Sequence, residues 1–147
     1  MTDSTRENAV INLIKEALQI TPKLQLQGDR LTKDLQLTSS RWGVLGFVSA
    51  AEKALTVSDL ARRMSLKPQT VQRFVAAIEQ QGFITLDNNP DHKRARLMRL
   101  TEKGGKALAV LKQRELRWAT NIADGMATQD IDKAAEILAL LRKNLSE

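Results

Sequence analysis

The chain contains no cysteine, one histidine and no tyrosine. Without cysteine there is no disulfide scaffold, thiol switch or cysteine-rich zinc site, and a lone histidine leaves Cys/His nucleophilic chemistry without its parts. No glycine-rich phosphate loop, Ser/His/Asp set or carboxylate cluster is present, so the expectation is a non-enzyme with no metal and no cofactor. The few aromatics are Phe47, Phe74, Phe83, Trp42 and Trp118. They are too few for the stacking platforms that read single-stranded RNA. Long apolar runs are also missing: the nearly uncharged stretch Trp42 to Ala51 is about half of the roughly 20 residues a spanning helix needs. The opening MTDSTRENAV lacks the apolar block and cleavage site of a secretion signal, so a cytoplasmic protein with no membrane partner is expected.

What remains is a 147-residue chain that is 42% hydrophobic, enough for one compact domain with a core. Its 23 bases against 17 acids give a net charge of +6, which favours a polyanionic partner. Nucleic acid is the first candidate and a membrane surface the second; the shortage of aromatics favours duplex DNA.

Apolar residues recurring at three and four predict a mostly helical chain. Val10, Leu13, Ala17 and Ile20 line one face of a first helix, which Pro22 is expected to bend or end. Residues 23–37, broken by Gly28 and Asp29, read as irregular with helical turns. A second helix is capped by Thr38 and carries Trp42, Leu45 and Val48, with Gly43 and Gly46 permitting close helix contact. Thr56 and Asp59 have capping-box spacing before a short third helix that ends near Met64. Pro68 suits the first turn of a fourth, which turns Val71, Phe74, Val75 and Ile78 inward and stops at Gly82. Strands follow at Phe83 to Leu86 and Ala95 to Leu100, joined by a turn at Asn88 to Asp91. Thr101 caps a fifth helix bearing Leu108, Leu111, Trp118 and Ile122 and ending near Gly125, and Thr128 caps a sixth. In that last helix Ile131, Ala134, Leu138, Leu141 and Leu145 form a heptad-like seam.

Residues 57–74 have the pattern of a helix-turn-helix, with Ala61 small where the helices cross, and the hairpin after it makes the unit winged. The fold expected is mostly α with a small β-hairpin wing: a winged helix-turn-helix over 38–103, with dimerisation helices over 1–37 and 104–147 of one domain. From Arg62 to Lys103 there are nine bases and four acids, so this stretch holds +5 of the chain's +6. A charge run is commonly just a solvated face. Here the bases fall on the turn, the front of the fourth helix and the hairpin, the surfaces a winged helix offers to a phosphate backbone.

The segments 37–45 (LTSSRWGVL), 56–61 (TVSDLA), 70–75 (TVQRFV) followed by 78–84 (IEQQGFI), and 90–104 (PDHKRARLMRLTEKG) with its Leu-Thr-x-x-Gly exit stand in this order along the chain. With them the sequence resembles the MarR family of bacterial transcription regulators over almost its whole length. Two positions depart from the pattern. His92 stands where the family commonly has an aspartate that fixes the wing loop, with Asp91 beside it. Lys67 stands where many relatives place a serine cap, and an ammonium cannot accept a backbone N–H bond.

The candidate DNA contacts are Lys67, Pro68, Gln69, Thr70, Gln72, Arg73, Lys93, Arg94 and Arg96. Gln69, Gln72 and Arg73 can make paired bonds to base edges in the major groove. Thr70 is a base reader beside them, with a phosphate contact as its alternative, and Lys67 suits phosphate. The resemblance places Arg94 at the wing tip, where a guanidinium enters a narrow minor groove, with Lys93 and Arg96 on flanking phosphates. For each, the plainer alternative is a solvent-facing side chain, or a phosphate contact carrying no sequence information. Trp42, Phe47 and Trp118 are candidate effector-pocket residues, because the resemblance implies a small phenolic or lipophilic effector bound near them; core packing is their alternative role. Val10, Leu13, Ala17, Ile131, Leu138, Leu141 and Leu145 are candidate dimer contacts, since their faces exceed what the head could cover. The function expected is a homodimeric, sequence-specific repressor on a near-palindromic operator, released by a small effector. The alternative is an architectural or protein-interaction module that binds DNA without sequence preference.

Overall fold

The computed structural model describes residues 2–146. The elements are α1 (Thr2–Thr32), a 3-10 turn (Lys33–Leu35), α2 (Ser39–Ala50), α3 (Val57–Met64), α4 (Pro68–Gln80), β1 (Ile84–Asp87), β2 (Leu97–Leu100), α5 (Glu102–Ile122) and α6 (Thr128–Asn144). The expected fold, helices with one small hairpin wing, is the fold observed. The chain divides within α5 into two compact units, Met1–Gln113 and Arg114–Glu147.

In the first unit, helix starts are set by local chemistry. The Thr38 hydroxyl accepts the Arg41 N–H, and Thr56 and Asp59 exchange the two bonds of a capping box. Each such bond satisfies a donor that the helix itself leaves open. Gly82 ends α4 with φ +83, a conformation that costs glycine nothing. The two strands pair antiparallel from Ile84↔Leu100 to Asp87↔Leu97. A bridge from Leu55 to Met98 joins the loop before α3 to this hairpin, with the Met98 N–H donating to the Leu55 carbonyl at 2.9 Å. The core beneath is built from Val44, Leu45, Leu60, Val71, Val75, Ile78, Ile84 and Met98, closed by Leu111 of α5.

Several expectations are corrected. Pro22 does not end the first helix, and residues 23–32 are not irregular: α1 runs on to Thr32. Proline removes one ladder bond, but packing on the far side outweighs that loss. Gly28 and Thr32 are buried there, the Thr32 hydroxyl lies 2.9 Å from the carbonyl oxygens of both Gly28 and Leu37, and Asp29 Oδ1 accepts the Ser39 N–H at 2.7 Å. The close approach expected at Gly43 and Gly46 falls elsewhere. A methyl on Gly43 would meet only Met64 at 3.8 Å and one on Gly46 nothing, whereas one on Gly28 would lie 2.7 Å from Ser39 Oγ and one on Gly104 2.2 Å from the Phe83 carbonyl oxygen. The return strand begins at Leu97 rather than Ala95, and Leu66 is exposed in the turn.

The second unit is the end of α5 and α6. Thr128 does not cap α6: Ala127 holds that position, its carbonyl accepting the Asp130 and Ile131 N–H groups, and Thr128 is the first helical residue. Ile131, Leu138 and Leu145 are all exposed, Leu145 by 77%, and Leu141 is half-buried. In the first unit Val10 is exposed, and Leu13 and Ala17 are half-buried.

Candidate nucleic-acid interface

The turn between α3 and α4 presents the front of α4. Ser65 takes a left-handed conformation (φ 54, ψ 42) that closes α3, and Leu66 N–H returns to the Ala61 carbonyl at 3.0 Å. Lys67 then starts α4 without a side-chain cap bond, as an ammonium must, and Pro68 occupies the first turn. With Val71, Val75 and Ile78 in the core, the helical repeat leaves Lys67, Pro68, Gln69, Gln72 and Arg73 exposed, while Thr70 is half-buried.

The wing is pinned by its own side chains. Arg96 Nη2 donates to the Leu86 carbonyl at 2.6 Å across the hairpin, and Arg99 pairs with Asp87 at 2.6 Å. Asn89 Oδ1 accepts the Asp91 N–H at 3.0 Å, and His92 Nδ1 accepts the Arg94 N–H at 3.3 Å. His92, at the position where the family commonly has an aspartate, thus bonds the backbone two residues further along the loop. Lys93 and Arg94 are exposed at the tip.

Between the start of α3, the front of α4 and the wing lies a cleft of about 620 Å³, which gathers Ser58, Pro68, Gln69, Gln72, Arg94 and Arg96. Five of the nine residues proposed from the sequence therefore share one concavity. Arg73 lines a different cleft, of about 490 Å³, on the other flank of α4. Lys67, Thr70 and Lys93 lie outside both. Ser58 was not foreseen, although its place in the first turn of α3 was legible from the capping box.

Asp59 is the titratable group of this region whose carboxyl is held below its ordinary value of 3.8, first by the backbone N–H of Thr56, then by the Thr56 hydroxyl and Arg62. Arg62 is engaged with that carboxylate, and Lys103 donates to the Gln81 carbonyl while its ammonium sits 4.7 Å from the centre of the Phe83 ring. These cations act within the fold. Among the described residues no group of three or more His, Asp or Glu could hold a metal ion, and no helix is long and apolar enough to cross a membrane. Of the effector candidates, Trp42 packs half-buried against the core, Phe47 is exposed on α2, and Trp118 is half-buried in the second unit.

The family model that matches is that of the MarR family, over residues 35–95. An uncharacterized protein of Mycobacterium tuberculosis is 30% identical over 117 residues, 80% of each chain. The transcriptional activatory protein BadR of Rhodopseudomonas palustris is 29% identical over 101 residues, 67% of this chain and 58% of that one. Among solved structures, the Staphylococcus aureus MepR–DNA complex superposes with a TM-score of 0.77 at 16% identity, over 89% of this chain and 96% of that one. Staphylococcus aureus MarR in complex with salicylate and kanamycin gives a TM-score of 0.77 at 14% identity, over 99% and 97%.

Proposed function

The chain belongs to the MarR family of transcription regulators, and on that premise we propose that it is a homodimer that binds a near-palindromic operator and represses by occupying a promoter. The observation that carries this reading is the cleft between α4 and the wing, where two glutamines that can pair with base edges stand beside two arginines. Gln69 and Gln72 read the major groove, Arg94 enters the adjacent minor groove, and Lys67, Thr70 and Lys93 hold backbone phosphates. Arg96, tied to the Leu86 carbonyl across the hairpin, holds the shape of the wing itself while its remaining donors face the phosphates.

The dimer is supported by the exposed apolar faces of α1 and α6, with Val10, Leu13, Ala17, Ile131, Leu138, Leu141 and Leu145 as contacts. Two heads then meet successive major grooves roughly 10 base pairs apart. A small lipophilic or phenolic effector, bound near Trp42 and Phe47 of the first unit or near Trp118 of the second, would release the DNA by favouring a head spacing that no longer matches the groove repeat. The MarR structure holding salicylate supports that part of the reading.

Selection of duplexes from a random-sequence pool, followed by footprinting, tests the proposal. It should return one inverted repeat protected over two half-sites about one helical turn apart. A pool that stays unenriched contradicts sequence-specific binding.

A further inference from the structure

Among the described residues, some basic side chains of the first unit are engaged within the chain and others, such as those of Arg63, Lys67 and Arg94 at its surface, are not. Arg62, Arg96, Arg99, Lys103 and Lys106 each have a partner within the chain: Asp59, the Leu86 carbonyl, Asp87, the Gln81 carbonyl and Glu102. Among the described residues, Arg41 and Arg73 have neither an ion pair nor a side-chain hydrogen bond. Arg73 is exposed, so water serves it. Arg41 is half-buried as a residue, and among the described residues no acceptor engages its guanidinium.

Both arginines line the cleft of about 490 Å³ on the α2 side of α4, together with the hydroxyl-bearing Ser39 and Ser40. Asp29 lines it as well; its Oδ1 accepts the Ser39 N–H, which ties this carboxylate to the start of α2, and the two arginines outnumber its single negative charge. The Thr38 hydroxyl accepts the Arg41 N–H, so Ser40 is the first-turn residue of α2 whose N–H keeps no protein partner. Two arginines from separate helices and Ser40, with its hydroxyl and unpartnered N–H, thus line one concavity. Five donors per guanidinium, in a rigid fork, suit the oxygens of a phosphodiester.

The position of the cleft selects its occupant. Arg73 follows Gln72 in sequence, so α4 faces the wing-side cleft with one residue and the α2-side cleft with the next. A duplex lying along the front of α4 carries its backbone past both flanks of the helix. We propose that Arg41, with Arg73 and Ser40, clamps a DNA backbone phosphate on the α2 side of the recognition helix, extending the interface to a residue that neither α4 nor the wing contains. Arg73 is then a backbone contact rather than a base reader. This inference rests on the DNA-binding reading above.

Its test is the salt dependence of duplex binding by Arg41→Gln in the full chain, on the selected operator and on shuffled DNA. Loss of one phosphate contact should lower the slope of log K against log salt by about 0.9 per subunit. It should weaken both duplexes alike, by roughly tenfold, and leave the ratio between them unchanged. Arg41→Lys, which keeps the charge, should keep most of the slope, and equal thermal melting of the three proteins separates lost contact from lost fold. An unchanged slope and affinity in Arg41→Gln overturns the clamp while leaving DNA recognition intact. A loss confined to the operator also overturns it, because a phosphate contact carries no sequence information. If the unmodified protein binds neither duplex, the DNA reading and the clamp fall together.

Discussion

At the scale of single residues, the chain divides its polar groups between holding the fold and leaving donors free. Gln72 belongs to the second kind: it is exposed, lines the wing-side cleft beside Arg94, and carries an amide able to pair with adenine. Gln72→Ala should cost about 1–3 kcal/mol on the selected operator and relax preference at one base pair, with little change on shuffled DNA. Competition titrations with operator variants measure this. Asp59 belongs to the first kind. Its carboxyl is held below 3.8 in the fold, so the stabilisation it gives is complete above that value and fades as pH falls through the lower folded one. Thermal melts from about pH 5 to pH 2 should show an acid loss that Asp59→Ala reduces, the variant being less stable than the parent at neutral pH by about 1 kcal/mol. Much of this scale was legible in advance. Thr56 with Asp59, and Thr38, act through bonds to residues three positions away, and Pro68 and Gly82 through their own backbone geometry, and such local effects leave a pattern in the sequence. Arg41 was not legible as a site residue, because its significance depends on Arg73, which comes from another helix.

At the scale of elements, the sequence rules that failed were overridden by packing between helices. Pro22 is a breaker by local rule, yet α1 continues because Gly28, Asp29 and Thr32 are tied to the start of α2. The glycines show the same division. Gly82 has the positive φ of a helix stop, which a local pattern predicts, whereas Gly104 matters for the nearness of Phe83 and Leu100 across the wing root, which no local pattern contains. Gly104→Ala forces a methyl to within 2.2 Å of the Phe83 carbonyl oxygen unless α5 or the hairpin shifts. A loss of about 1–3 kcal/mol in urea unfolding is expected, typical of overpacking. A shift of the wing would also weaken operator binding; a variant as stable as the parent contradicts this account of the wing root.

At the scale of the whole molecule, the apolar residues that the core does not take up set the account. Leu18, Leu116, Leu138, Leu140 and Leu145 are exposed on helices whose other faces are polar, and patches of this kind mark interaction surfaces. Leu138→Glu, which places a charge in the proposed dimer seam, should shift sedimentation equilibrium toward monomer. Helical content should change little, because residue 138 is exposed and contributes nothing to the core. Operator affinity should fall further than shuffled-DNA affinity, since the second half-site is lost. The excess of apolar surface on which the proposed dimer rests was legible in the sequence, and so was the fold, as the order of helix-turn-helix, hairpin and flanking helices.

The central claim, sequence-specific duplex recognition by α4 and the wing, is tested most directly by titrating the purified protein on its selected operator and on shuffled duplex of equal length across a salt series. A preference of about a thousandfold or more that persists as salt rises is the predicted result. Equal affinities that collapse together with salt would mean that phosphate contacts alone hold the DNA, and would contradict it.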